Sequence, residues 1–406
     1  MKNILKITMI AAALMLAVAC EKWTETESKY EPERIGIGYP GYTKDEAYYA
    51  NLRAYKATMF DRKLSWAWYD GWTALGTYTL NSLAGLPDSL DIAAIWGGWG
   101  NMTPAKKADM EFVQKFKGTK VVVTKLIGNL DWRTYAPAEL ANAPDSTLLA
   151  YWGWEGPLDP RANPVSAIEG IALSGNSPRM YMDPVTEAQE AAIRKLAKAE
   201  SDRILGFGYD GYDLDVEIGW GSQGTLAQYY HRFVIFVDEL GKYMGPKSGT
   251  DKLLIFDGAV CNLPGVLEPY FDLFVIQAYN SANVAALNTG ANRLSQAVAR
   301  LRLFMDPVDI FSIVSRVVMT EDYEQGRGAT GGRVGFVNAD GTTTNSLMGM
   351  ALYKPTVSGI TYERHGGFGC YRISFEYSIE HPRGVPGNYP WMREAIQRVN
   401  PAGTVN

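Results

Sequence analysis

Eight consecutive residues, Asp210-Gly-Tyr-Asp-Leu-Asp-Val-Glu217, hold four carboxyls, and Asp213, Asp215 and Glu217 recur at every second position. In a β-strand side chains alternate between faces, so these three point one way while Tyr212, Leu214 and Val216 point the other. Two residues of rise put neighbouring carboxyls roughly 7 Å apart. In a low-dielectric interior such a row persists only if protons are retained or partners supplied, and either arrangement separates the pKa values of the acids. A carboxyl that keeps its proton near neutral pH is a general acid. Glu217, the last of the three, is expected at the rim and is assigned that role. A half-exposed strand with a solvated acidic face, or a structural acidic network without turnover, would show the same alternation. A calcium loop would not: counted from Asp213 it needs Gly at 218 and Glu at 224, where the chain has Ile218 and Gly224.

The elements that must carry these acids are short apolar runs alternating with amphipathic segments. Strands are predicted at Leu64–Trp68, Leu90–Trp96, Lys120–Ile127, within Ile204–Glu217, and at Leu253–Ala259, Leu273–Tyr279, Ile310–Val314 and Gly369–Ser374. Helices are predicted at Lys106–Lys117, Thr186–Asp202, Leu226–Met244 and Asn292–Phe304. Eight strands alternating with helices predict an α/β fold with a parallel sheet, a single-domain (β/α)8 TIM barrel with long loops over residues 46–406. A doubly wound sheet is the alternative, but Trp66-Ala-Trp-Tyr-Asp-Gly-Trp72 is not the glycine-rich turn such a fold favours after its first strand. In a barrel the carboxyl face of the fourth strand lines the interior. Residues 129–185, rich in Pro, Gly and Trp, read as an insertion after the third strand, on the face where barrel active sites lie.

Composition narrows the partners. With 39 Lys and Arg against 44 Asp and Glu, a net charge of −5 and no basic block, the 406-residue chain is not expected to bind nucleic acid. Its 11 Trp and 24 Tyr suit the C–H faces of sugars and a large core equally. Residues 1–19 read as an export signal: Lys2 and Lys6 precede an apolar run from Ile7 to Val18, too short for a comfortable membrane span. Ala17-Val-Ala-Cys20 resembles a bacterial lipobox, which makes Cys20 the acylated residue, residues 20–45 a tether, and the outer membrane (cell surface or periplasmic face) the expected location. An ordinary secretory signal is the alternative. Cys261 and Cys370 read as buried free thiols, and His231, His365 and His381 lack metal-ligand spacing, so neither metal nor cofactor is called for.

Asp210-Gly-Tyr-Asp-Leu-Asp-Val-Glu217 resembles the D-G-x-D-x-D-x-E element on the fourth barrel strand of glycoside hydrolase family 18, matching all five defining positions. The resemblance implies that Glu217 protonates the glycosidic oxygen and that Asp215 holds the substrate's N-acetyl group, whose carbonyl oxygen attacks the anomeric carbon. Asp213 would buffer the charge on Asp215. Asp210 and Gly211 would serve strand geometry more than chemistry, although Asp210 is counted with the substrate-binding residues. Phe274-Val-Ile-Gln-Ala-Tyr-Asn280 is similar to the family's sixth strand, where an aromatic hydroxyl steadies the N-acetyl group. This puts Tyr279 with the catalytic set and Gln277, on the same strand face, with the binding set; a core strand with a buried Tyr is the alternative.

The chain departs from the family's chitinases at two places. Lys120–Gly128 ends in Lys125-Leu-Ile-Gly128 where many have Ser-x-Gly-Gly, and the eighth strand offers Tyr371 and Phe375 where many have Trp. The resemblance therefore points to the endo-β-N-acetylglucosaminidase branch, including lipoproteins of gut Bacteroidetes, and to a GlcNAc-GlcNAc bond in N-glycans. A chitinase and a glycan-binding lipoprotein without turnover are the alternatives, and glycan-import proteins are conceivable partners. Trp68, Trp96, Trp99, Trp152, Trp154 and Trp220 are candidate sugar platforms or core residues; Trp68, Trp96, Trp152 and Trp154 are assigned to substrate binding, the last two because they sit in the insertion.

Overall fold

The computed structural model describes residues 44–76, 79–176, 178–384 and 388–401. The export signal, Cys20 and all but the last two residues of the tether lie outside them. Eight parallel strands close into a barrel in chain order: β1 (Leu64–Tyr69), β2 (Ile92–Trp96), β3 (Lys120–Leu126), β4 (Gly211–Val216), β5 (Leu253–Gly258), β6 (Leu273–Gln277), β7 (Val317–Asp322) and β8 (Gly367–Tyr371). Pairing of Leu64 with Gly367 and of Ala67 with Cys370 shuts the ring. Closure satisfies the backbone groups of both edges and removes any exposed edge strand.

Strand alternation sorts the side chains into two apolar masses. Trp66, Trp68, Ile92, Ala94, Val122, Ile255, Val275 and Val318 fill the barrel. Their strand neighbours, such as Ile95, Val123, Leu214, Phe256, Ile276 and Met319, pack outward under the helices. Asp213, Asp215 and Asp257 belong by parity to the inner set. Gly211 is needed at the foot of β4 because a Cβ there would overlap the carbonyl oxygen of Leu253 on β5.

The principal helices of the outer layer are α1 (Glu46–Ala57), α2 (Pro104–Phe112), α3 (Glu187–Gly206), α4 (Tyr230–Leu240), α5 (Leu294–Leu301), α6 (Ser346–Leu352) and α7 (Pro390–Val399). Helix α3 starts where Thr186 accepts from the Gln189 N–H and Gln189 returns the bond, a capping box that fixes its first turn. One predicted strand is wrong. Ile310–Val314 is a short helix, because Asp309 caps it by accepting from the Ser312 N–H, and β7 begins three residues later. Apolar periodicity over five residues does not separate these outcomes, whereas an N-cap does. The insertion after β3 holds two short helices (Trp132–Tyr135, Asp145–Trp152) and paired two-residue strands. Cys261 and Cys370 are free and buried. Among the described residues no helix is long and apolar enough to cross a membrane.

Candidate active site

The acids of β4 rise from the barrel interior to its C-terminal mouth. Asp213 is fully buried, and its Oδ2 accepts from Trp68 Nε1 at 3.1 Å and from Thr124 Oγ1 at 2.7 Å. Thr124 is positioned by register, since it pairs with Asp213 across the β3–β4 ladder. Asp215 lies one pleat higher, where its Oδ1 accepts from Gln277 Nε2 at 3.2 Å. The same amide nitrogen lies 3.3 Å from Oδ2 of Asp257, which pairs with Asp215 across β4–β5.

Glu217 sits just beyond the end of β4, half-buried. A tight turn holds it: its N–H donates to Ser222 Oγ at 2.8 Å, and its carbonyl accepts from the N–H groups of Trp220, Gly221 and Ser222. The carboxyl folds back over Gly221, where any Cβ would overlap Glu217 Oε2. Asn262 ties the next residue down by donating Nδ2 to the carbonyls of Ile218 and Ser174, both at 2.8 Å, which joins the turn to the insertion.

Burial raises every acid of the group. It pushes Asp213 up to about 7 against the opposing hydrogen bonds from Thr124 and Trp68. It holds Asp215 well above the carboxylate range, with the charges of Glu217 and Asp213 adding to the effect and the bond from Gln277 opposing it. Asp257 is raised by burial and then by Asp215 and Asp213. Glu217 is raised by burial and restrained by Gln277. No ion pair to these acids forms among the described residues, so burial favours their protonated forms, the direction that proton donation near neutral pH requires.

Above the acids lies a cavity of about 210 Å³ lined by Trp68, Trp96, Leu126, Asp215, Glu217, Asp257, Gln277, Tyr279 and Tyr371. Tyr279 and Tyr371 stack at 6.3 Å, and Trp96 meets Tyr371 edge-on at 5.7 Å, so one wall is aromatic and the floor acidic. Glu217, Gln277 and Tyr279 also border an adjoining cavity of about 320 Å³ with Trp220, Asn292 and Arg293. Glu217 thus stands where two spaces meet, and the outer one lies at the lower end of the size range of small-molecule sites.

The structure brings together Asp213, Asp215, Glu217, Gln277, Tyr279, Trp68 and Trp96. Three other assigned residues lie elsewhere. Trp152 and Trp154 are 3% and 6% exposed and pack on Trp132 within the insertion; Trp152 Nε1 donates to the Trp132 carbonyl at 3.0 Å. Three clustered indoles gave the insertion its own small core, so these two are packing residues rather than sugar platforms. Asp210 lies at the opposite end of β4, where Oδ2 accepts from the Val121 N–H at 2.9 Å and from Gln114 Nε2 at 2.7 Å, and it is a barrel-floor residue. Trp99 lines neither cavity, whereas Trp220, 44% exposed, lines the outer one. Sequence reasoning missed Asp257, Thr124, Asn292 and Arg293. The only available signal for Asp257 was an acid with inward parity near the end of an apolar strand.

A model of glycoside hydrolase family 18, BT1044-like, matches residues 29–156 and 174–398. Endo-beta-N-acetylglucosaminidase F2 of Elizabethkingia meningoseptica is 26% identical over 260 residues; the match covers 61% of this chain, and the chain spans 58% of that relative's length. The solved structure of BT1044, in selenomethionine form with a Glu-to-Gln change, superposes with a TM-score of 0.61 at 22% identity, covering 86% of this chain and 93% of that one. A double mutant of the endo-beta-N-acetylglucosaminidase from Cordyceps militaris, in complex with fucosyl-N-acetylglucosamine-Asn, gives 0.50 at 19%, covering 88% and 97%. At these identities the two structures show a shared fold. Together with the closed barrel and the acid-bearing fourth strand, the family match settles the lineage: this chain belongs to glycoside hydrolase family 18, in its BT1044-like group.

Proposed function

We propose that the chain is an endo-β-N-acetylglucosaminidase that cleaves the β-1,4 bond of the GlcNAc-GlcNAc core of N-glycans with retention of configuration. The observation that carries this reading is the convergence of Asp215, Glu217, Gln277 and Tyr279, from two non-adjacent strands, on one aromatic-walled cavity. The scissile oxygen would lie beside Glu217, on the divide between the two cavities, and Glu217 would protonate it. The acetamido carbonyl oxygen would attack the anomeric carbon while Asp215 accepts the acetamido N–H and the Tyr279 hydroxyl donates to the carbonyl oxygen. Water would then open the resulting ring, with Glu217 taking its proton. No enzymic nucleophile is required in this substrate-assisted scheme. The family relative from Elizabethkingia, named for this activity, supports the same substrate class. A glycan-binding protein without turnover would have no use for an acid whose pKa burial raises, placed where two cavities meet. Anchoring to a membrane through Cys20 belongs to the same proposal and rests on the lipobox-like segment alone.

The test is mass spectrometry of an N-glycosylated protein incubated with the soluble domain and with Glu217→Gln. The expected result is loss of mass leaving one GlcNAc on each asparagine, absent in the variant, which still binds the glycan. Equal turnover by the variant, or no cleavage of high-mannose or complex glycoproteins by the native chain, would refute the proposal.

A further inference from the structure

Asp257 has no role in the scheme above, yet it lies directly across the strand ladder from the acid that must orient the substrate. It pairs in register with Asp215, is 1% exposed, and shares the Gln277 amide with it at 3.3 and 3.2 Å. Its second oxygen, Oδ1, is buried and without a partner among the described residues. The groups that chiefly shift its ionisation, among the described residues, include no cation. The groups facing it are Asp213 and Asp215 on β4, Glu217 at the end of that strand, and Gln277 and Tyr279 from β6 and the turn after it.

We propose that Asp257 is a positioning residue that holds the proton Asp215 must give up, so that the two carboxyls share one negative charge. The inference rests on the hydrolase reading of Asp215. The positive charge that develops on the acetamido group as it cyclises is best met by an ionised carboxylate, but two adjacent ionised carboxylates in this interior repel each other strongly. With one proton between the two carboxyls, placing it on Asp257 rather than on Asp215 leaves the charge of the pair unchanged. Asp257 then donates to Asp215 and fixes its plane, and the other Asp215 oxygen accepts from the substrate. The directions of ionisation agree: a hydrogen bond from Asp257 eases ionisation of Asp215, while the Asp215 charge keeps the proton on Asp257. Gln277 secures the pair by donating to whichever oxygens carry the charge.

The experiment compares pH profiles of kcat on an N-glycosylated peptide for the native chain, Asp257→Leu and Asp257→Asn. The leucine variant loses a hydrogen bond to a charged group, so Asp215 protonates more readily and the acidic limb moves up by about 1 pH unit. Asp257→Asn keeps a donor and brings the limb back towards the native position. A packing role would lower kcat equally at all pH values; an unmoved limb in Asp257→Leu, or no restoration by Asp257→Asn, overturns the inference. Carboxyl 13C NMR of the native protein without substrate gives a second, activity-independent readout. Asp215 and Asp257 should lose their protons in two separated steps, and joint titration in the ordinary carboxylate range overturns the inference even if no glycan is cleaved. Absence of native turnover, by contrast, counts against the hydrolase proposal and leaves this one to the NMR titration.

Discussion

Replacing Asp213 with Asn should stabilise the fold at alkaline pH relative to the native chain, by an amount the structure sets. Burial pushes Asp213 up to about 7 in the folded protein, against about 3.9 in an unfolded chain. Between those values the folded state binds a proton that the unfolded state has released, so native stability falls as pH rises through the window and levels off above it. At about 1.4 kcal/mol per unit, a separation of about 3 units corresponds to a loss of roughly 4 kcal/mol. An amide cannot ionise, so Asp213→Asn avoids that loss. Its oxygen can accept from Trp68 and Thr124 in place of Oδ2, while its NH2 faces the position of the unpartnered Oδ1. That mismatch costs about 1–3 kcal/mol, but equally at all pH values. Urea unfolding of both proteins from about pH 4 to pH 8 should therefore show the difference in unfolding free energy moving by about 2–4 kcal/mol in favour of the variant. A difference that stays constant with pH would refute the claim that Asp213 is held protonated by burial.

Two further predictions follow from the positions of the acids on β4. Asp215→Asn should lower kcat at least about 100-fold, because the acetamido group loses its ionised acceptor; near-normal rates on an N-glycopeptide would contradict substrate assistance. Asp210→Ala should lower unfolding free energy by about 1–3 kcal/mol, since the buried Val121 N–H loses its acceptor. Its kcat should be unchanged, because Asp210 and Glu217 occupy opposite ends of the strand; a matching fall in kcat would place Asp210 in the site after all.

The parts of the site that could be read from the sequence are those governed by strand alternation within one segment. The shared face of Asp213, Asp215 and Glu217, and that of Gln277 and Tyr279, required only a period of two. Asp257 escaped because Leu253–Gly258 looks like any apolar strand ending in an acid, and its meaning lies in being opposite Asp215. Trp152 and Trp154 were misassigned because an indole in a long loop can face a ligand or other indoles with the same local sequence. Ile310–Val314 was misread because five apolar residues suit either periodicity, and the decisive Asp309 cap lay outside the run.

The sequence by itself determined the alternation of strands with helices, the family-like acidic strand and the choice of Glu217 as terminal acid, since these depend on neighbours a few residues apart. Only the tertiary structure decided which acids face each other, which aromatics wall the cavity, and that Gln277 bridges Asp215 and Asp257. Those facts depend on inter-strand register and barrel closure, which place residues from β1, β4, β5, β6 and β8 within hydrogen-bonding or stacking distance although long stretches of chain separate them. Burial then completed the chemistry: the closed barrel takes Asp213, Asp215 and Asp257 almost wholly out of solvent contact, and that burial, absent from any local pattern, raises their pKa values.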